Sequence, residues 1–195
     1  MTEVPGPDET VTERKRSSSR WKMWEDRSMT SGGLEAFNAA DRSTAQATVM
    51  SCAAVRRWAD DIVAGRPYAD VGAALAAAES AADPWTDAEI DEALARHPRI
   101  GEQPVGDDAD SDHSRKEQAG VDTSDASVAG RLQVGNRRYE DRFGHVFLIR
   151  AAGRSAEEIL RVLEERLQND AATERRIAAQ QLREIAVLRL EGELS

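Results

Sequence analysis

The chain has a single cysteine, Cys52, among 195 residues. No intrachain disulfide can form, and no zinc site built on several thiolates, so a reducing cytoplasm suits it. Aromatic residues amount to only 5%. Strands draw on aromatic and β-branched side chains, whereas the Ala, Leu, Arg and Glu abundant here favour helices. No apolar run approaches the roughly 20 residues that span a bilayer, and the N-terminal stretch carries no hydrophobic segment of the secretory type. Positive charge is in deficit, with 26 Lys and Arg against 36 Asp and Glu, a net −10. Binding phosphates needs a cationic surface, so a nucleic-acid partner is not expected. Three catalytic signatures are missing as well: a G-x-S-x-G elbow, a G-x-x-x-x-G-K-[ST] phosphate loop and a G-x-G-x-x-G fingerprint.

Hydrophobic residues make up 40%, enough for one core. Residues 1–32 are polar, carry Pro and Gly and show no sustained periodicity, which predicts a disordered tail. Its "RKRSSSRWK" piece is the one stretch that could dock on a partner. Residues 33–195 read as one compact multi-helix domain. In "DRSTAQATVMSCAAVRRWADDIVAG" the residues Val49, Cys52, Ala53, Val55, Trp58 and Ile62 recur at helical steps. Gly65 and Pro67 end that run. "VGAALAAAESAA" continues helical until Pro84. Thr86-Asp-Ala-Glu89 is a capping box opening a helix towards His97. "GEQPVGDDADSDH" reads as a loop, and Ser114-Arg-Lys-Glu117 as a second capping box restarting the chain. A long helix then runs through Leu132, Asn136 and Tyr139. "RFGHVFLIRAAGRS" is the one extended stretch, and Ser155-Ala-Glu-Glu158 a third capping box. Asn169 or Asp170 caps a last helix to about Leu190. Strands alternating with helices are absent, which excludes a parallel α/β sheet.

Five places are candidates for chemistry, each set beside a plainer explanation. Arg189 falls on the apolar face of the last helix with Leu182, Ile185 and Ala186. A guanidinium there needs an anionic partner, within the protein or in a ligand. Ser114 and Glu117 are accounted for as caps, yet Glu117 and Gln118 beside a helix N-terminus could also grip a ring bearing N–H and C=O groups. His97 precedes Pro98, which stops a helix, and the imidazole also suits general acid–base work. His97, His113 and His145 with the aspartates of 107–112 lack compact metal-ligand spacing, so no metal is expected. Cys52 lies in an apolar helical stripe and reads as core.

These pieces occur in an order that resembles one family. "HPRIG", "SRKEQAG", N-x-x-Y-x-x-"RFGHVFLI", "GRS" and a final "EIAVLRL" are similar to 2-oxo-4-hydroxy-4-carboxy-5-ureidoimidazoline (OHCU) decarboxylases of the urate-to-allantoin pathway. "FNAADRSTAQATVMSCAAVRRWADDIVAGRPY" resembles the opening of that family, and the likeness runs from Leu34 to Leu190. It implies an all-α fold, a homodimer, and decarboxylation of a small ureidoimidazoline carboxylate to (S)-allantoin with no cofactor and no metal. It also implies roles. His97 and Glu117 become the catalytic pair. Pro98, Ser114, Gln118, Phe147, Leu148, Ile149, Arg150, Ala151 and Arg189 become substrate-binding. Arg150 departs from the small residue or Cys expected at its position. It therefore either points out of the pocket or adds a second contact for an anion, which leaves a related ureido acid open as substrate. The competing class is a non-catalytic helical module that binds a partner through its acidic face and tail.

Overall fold

Short side-chain caps and glycines divide the chain into brief helices. The computed structural model describes residues 32–102, 109–121 and 125–195. Among them are nine helices and no strand. They are α1 (Gly32–Ala39), α2 (Arg42–Cys52), α3 (Arg56–Ala64), α4 (Val71–Ala81) and α5 (Asp87–Leu94), then α6 (Ala109–Gln118), α7 (Ala126–Phe143), α8 (Ala156–Arg166) and α9 (Ala171–Leu194). The fold is all-α. The tail read in the sequence lies outside the described residues as far as residue 31, and Gly32 already belongs to α1.

Carboxylates and hydroxyls open most of these helices by accepting backbone N–H groups that have no partner within the first turn. Asp41, Asp70, Asp125 and Asp170 do so for α2, α4, α7 and α9. Thr86 and Ser155 form complete capping boxes with Glu89 and Glu158, as their spacing predicts. α7 ends at Gly144, whose φ of 78° is left-handed, and its N–H returns to the Glu140 carbonyl at 2.8 Å. This stop turns the chain out of the helix into the extended 145–151 segment.

Three expectations need correction. Ser114 and Glu117 do not cap anything: α6 spans Ala109–Gln118, so both are interior helical residues. Glu117 and Gln118 therefore stand at the C-terminal end of a helix, where no spare N–H groups point outwards. The acidic loop is likewise shorter than its composition suggested, since Ala109 to His113 are already helical. Finally, the apolar stripe of residues 49–62 is not one helix. Ala53 and Val55 are extended between α2 and α3, and the Val55 N–H closes a tight turn onto the Ala53 carbonyl at 2.8 Å. The stripe stays continuous because Cys52, Ala53, Val55 and Trp58 all remain buried across the break.

α9 is the spine, packing against α1, α2, α4 and α5. With α3, which packs on α2 and α4, these helices enclose one apolar cluster around Trp58, Ile62, Leu182 and Leu190. α7 and α8 pair to enclose a second around Leu132, Tyr139, Ile159 and Leu163. The 147–151 segment runs between the two. Its side chains alternate as an extended backbone requires. Phe147, Ile149 and Ala151 enter the second cluster and Leu148 the first. It forms no ladder, so the expected extended stretch is there without being a strand. Among the described residues no helix is long and apolar enough to cross a membrane.

Candidate active site

α6 and α9 bring together groups far apart in sequence. On α6, Ser114 and Glu117 are three residues apart and share a face. Both meet Arg189 of α9. The Arg189 Nε and Nη2 donate to the Glu117 Oε1 and Oε2 at 2.6 and 2.9 Å, a two-pronged ion pair. Nη2 also donates to the Ser114 hydroxyl at 3.1 Å. The Arg189 side chain is 2% exposed, whereas Glu117 remains 30% exposed. Arg189 thus does sit on a buried face, as its place in the apolar stripe predicted.

Beside this cluster lies a cavity of about 310 Å³. Glu117 and Arg189 stand in its wall with His113, Lys116 and Glu193. Ile149, Ala151, Ile185 and Leu188 supply an apolar side. Arg150 stands at its lip, exposed, with its backbone N–H bonded to the Gln181 side chain at 3.0 Å. Phe147 and Leu148 lie elsewhere. Phe147 packs edge-on against Tyr139 and under the Arg166 guanidinium, and Leu148 belongs to the first apolar cluster.

His97 follows α5, its backbone N–H returning to the Leu94 carbonyl at 3.1 Å. Its side chain is buried, and Pro98 beside it is half-buried. Burial, aided by the positive charge of Arg189, pushes the imidazole pKa down to about 3. The ring is therefore neutral at neutral pH and lies within the field of Arg189, although it is not part of the cavity wall. The HPRIG loop that carries it is pinned at three successive residues. Arg99 pairs with Glu140 at 2.6 and 2.8 Å. The Ile100 carbonyl accepts from the buried Asn136 at 2.9 Å. The Gly101 N–H donates to the Gln118 Oε1 at 2.9 Å. Gly101 has φ 83°, a conformation that glycine tolerates and other residues resist. Gln118 thus holds the loop of His97 and does not line the cavity.

The pattern that defines the OHCU decarboxylase family matches residues 38–191. The chain belongs to the OHCU decarboxylase family. Among curated relatives, a 2-oxo-4-hydroxy-4-carboxy-5-ureidoimidazoline decarboxylase of Amia calva is 39% identical over 97 residues, covering 49% of this chain and 55% of the relative. The uric acid degradation bifunctional protein TTL of Arabidopsis thaliana is 35% identical over 103 residues, which is 51% of this chain and 32% of that protein. The matched stretches thus span about half or less of these relatives. A solved OHCU decarboxylase, crystallised in the presence of (S)-allantoin, superposes with a TM-score of 0.60 at 27% identity, over 72% of this chain and 92% of that one. An (S)-allantoin synthase shares the fold with a TM-score of 0.59 at 16% identity, over 83% of this chain and 54% of its own.

Some groups in this OHCU decarboxylase fold escaped the sequence reading. One is a second buried ion pair, Arg166 with Glu174, whose carboxylate also accepts from Tyr139. Its signal was present, since Arg166 follows Ile159 and Leu163 on the apolar face of α8 just as Arg189 does on α9. The other is the pairing of His113, weighed in the sequence only as a metal ligand, with Glu193 beside it in the cavity wall at 3.3 Å. Among the described residues no three His, Cys, Asp or Glu side chains gather to hold a metal ion. His145 is bonded to the Val146 carbonyl at 3.0 Å, and Asp107 and Asp108 lie outside the described residues.

Proposed function

We propose that the chain decarboxylates 2-oxo-4-hydroxy-4-carboxy-5-ureidoimidazoline to (S)-allantoin without a cofactor, as a carboxy-lyase of urate breakdown. The observation that carries this reading is the Ser114–Glu117–Arg189 cluster opening on a cavity, with the neutral His97 in the field of the same arginine. The chain's similarity to an OHCU decarboxylase of Amia calva and to a 27% identical OHCU decarboxylase crystallised in the presence of (S)-allantoin supports it.

The substrate supplies its own electron sink. Its carboxylate sits on a hydroxyl-bearing ring carbon next to the ring C=N bond. When the C–C bond breaks, its electron pair enters that C=N system and CO₂ leaves. His97 accepts the hydroxyl proton and passes it to the neighbouring ring carbon, which sets the S configuration. A ring held neutral has the lone pair this needs. The incoming carboxylate also opposes the Arg189 charge, which raises the proton affinity of His97 once substrate is bound. Glu117 keeps acceptor capacity free towards the cavity and binds the N–H groups of the substrate. The apolar wall of Ile149, Ala151, Ile185 and Leu188 favours dispersing the carboxylate charge.

The test is turnover of freshly generated substrate, followed by circular dichroism of the allantoin. His97→Asn should lose roughly 10²- to 10⁴-fold in kcat, the usual span for a general acid–base, while its melting temperature stays near that of the unaltered chain. Near-normal turnover of His97→Asn would remove His97 from the mechanism. Arg150 at the lip favours a second reading, a related ureido acid with a further anionic group. Such a compound should then be preferred over OHCU and lose that preference in Arg150→Ala. We propose as well that the enzyme works in the cytoplasm as a homodimer, which sedentation by ultracentrifugation and cell fractionation check.

A further inference from the structure

α6 and α9 meet through two rungs. Glu117 faces Arg189, and four residues back on α6 His113 faces Glu193, four residues onward on α9. Steps of four keep residues on one helical face, so the second rung repeats the first one turn away, with the two helices running in opposite directions. Both rungs stand in the wall of the 310 Å³ cavity. The first is the buried ion pair already assigned to substrate. The second is more open. The His113 side chain is mostly buried, Glu193 is well exposed, and the His113 Nε2 lies 3.3 Å from the Glu193 Oε1. An imidazole with one nitrogen on a solvent-facing carboxylate and its ring on a cavity wall has the layout of a proton carrier between water and ligand.

The reaction needs such a carrier, given the activity proposed above. The substrate enters as a carboxylate and leaves as CO₂ and neutral product, so each turnover consumes one proton. The transfer through His97 moves the hydroxyl proton to carbon and supplies none. We propose that His113 is the second acid of this site, delivering the consumed proton to the ring nitrogen of the former C=N bond, with Glu193 orienting it and linking it to water. In this step the His113 N–H bond breaks, its pair stays on the imidazole, and a new N–H bond forms on the ring nitrogen. Neutral His113 then takes a proton from water at the Glu193 side.

The charges around His113 suit this cycle. Burial, then Arg189, lower its proton affinity; Glu193 and Glu117 raise it, and Lys116 lowers it again, leaving it below the ordinary histidine value. Arg150 stands on the same wall. An anionic substrate entering the cavity adds negative charge beside the ring and favours the imidazolium form. Decarboxylation moves that charge into the substrate ring, which is where the proton is then delivered.

The experiment is steady-state decarboxylation by the full chain carrying His113→Ala, His113→Gln or Glu193→Gln, with and without added imidazole, from pH 6 to 8. His113→Ala should lose roughly 10- to 100-fold in kcat, most at pH 6, where the parent imidazole is most protonated, with KM within about twofold, and imidazole should restore the rate in a concentration-dependent way. His113→Gln should show the same loss without rescue, because the glutamine occupies the space. Glu193→Gln should lose less and mainly at high pH. The proposal is overturned if kcat of the His113 variants stays within twofold of the parent throughout this range, or if the lost rate of a folded His113→Ala ignores imidazole. A parent chain that does not decarboxylate at all would instead overturn the functional reading beneath it.

Discussion

Two arginine–glutamate pairs are buried in this molecule, and they are built for opposite ends. Arg166–Glu174 is sealed, with side chains 7% and 0% exposed. The Glu174 carboxylate accepts from Arg166 Nε at 2.8 Å, Arg166 Nη2 at 2.5 Å and Asn169 at 2.7 Å, and from the Tyr139 hydroxyl. The remaining Arg166 nitrogen donates to the Leu148 carbonyl at 2.7 Å, and the guanidinium lies over the Phe147 ring. Every charged group has a protein partner, and the pair ties the 147–151 segment between α8 and α9. Arg189–Glu117 has an equally buried arginine, but its carboxylate is 30% exposed and, among the described residues, receives its side-chain hydrogen bonds from Arg189. A carboxylate has about four acceptor positions, so half remain for a ligand. A sealed pair spends its charge on holding the fold, whereas an open one holds charge ready for substrate.

The largest effect that sharpens this contrast is on stability. Glu174→Ala leaves Arg166 buried without its anion and should cost about 3–5 kcal/mol in urea unfolding, the usual loss when one partner of a buried pair is removed. Glu117→Gln should cost less, about 1–2 kcal/mol, because the amide oxygen still accepts from Arg189 and the side chain is partly exposed. A similar loss in both variants would break the distinction between sealed and open.

Activity should rank the two pairs the other way. Glu117→Gln removes the charge facing the cavity but keeps the side chain's length, and kcat/KM should fall at least about tenfold, roughly 1.4 kcal/mol of transition-state stabilisation. At temperatures well below its melting point, a conservative change in the sealed pair such as Arg166→Lys should leave kcat/KM within about twofold. Unchanged kinetics of Glu117→Gln would mean that the open pair, too, is only structural.

How far these features were legible in the sequence depended on how local their cause is. Thr86–Glu89 and Ser155–Glu158 cap helices because the box closes within four residues, and both were readable. Ser114–Glu117 has the same spacing and was misread. Three residues apart also means one shared helical face, and only Arg189, 72 residues beyond Glu117, decides which meaning holds. The break at Ala53–Val55 was hidden because no Gly or Pro marks it and the burial pattern runs on across it. His97, Glu117 and Arg189 were legible as candidates through motif order and an arginine in an apolar stripe. The grip of Gln118 on Gly101 was not, because it joins two loops' ends that only the packing of α6 brings together.

pH offers a third comparison, between the sealed carboxylate and the buried histidine. Burial alone would raise Glu174, but the hydrogen bonds from Arg166, Tyr139 and Asn169 outweigh it and hold the carboxyl below its ordinary value. The stability this carboxylate supplies is present above the unfolded-state value and lost as pH falls through the folded one. His97 acts earlier on the scale. Its folded value is about 3 against an ordinary 6.5, so between these the unfolded chain binds the extra proton. Stability should therefore fall with pH from about 6.5 downwards, by at most roughly 1.4 kcal/mol per unit from this group. Urea titrations of the parent and His97→Asn at pH 7, 6 and 5 check it: the substitution should flatten the slope in this window. An unchanged slope would show that His97 is not the group being protonated.

The smallest expected effect concerns how the open pair is joined to His97. Gln118 leads directly on from Glu117 and bonds the Gly101 N–H, so α6 carries both a ligand of Arg189 and a clip for the His97 loop. Gln118→Ala removes the bond from the Gly101 N–H and a long one to the Arg99 carbonyl at 3.5 Å, both at a partly exposed position, and should cost only about 1 kcal/mol of stability. If the clip places the imidazole, kcat should nonetheless fall several-fold with KM nearly constant, because a slightly misplaced catalytic group weakens the transition state more than it weakens binding. A rise in KM with kcat unchanged would instead place Gln118 on the substrate. The glutamine would then leave the loop when substrate binds.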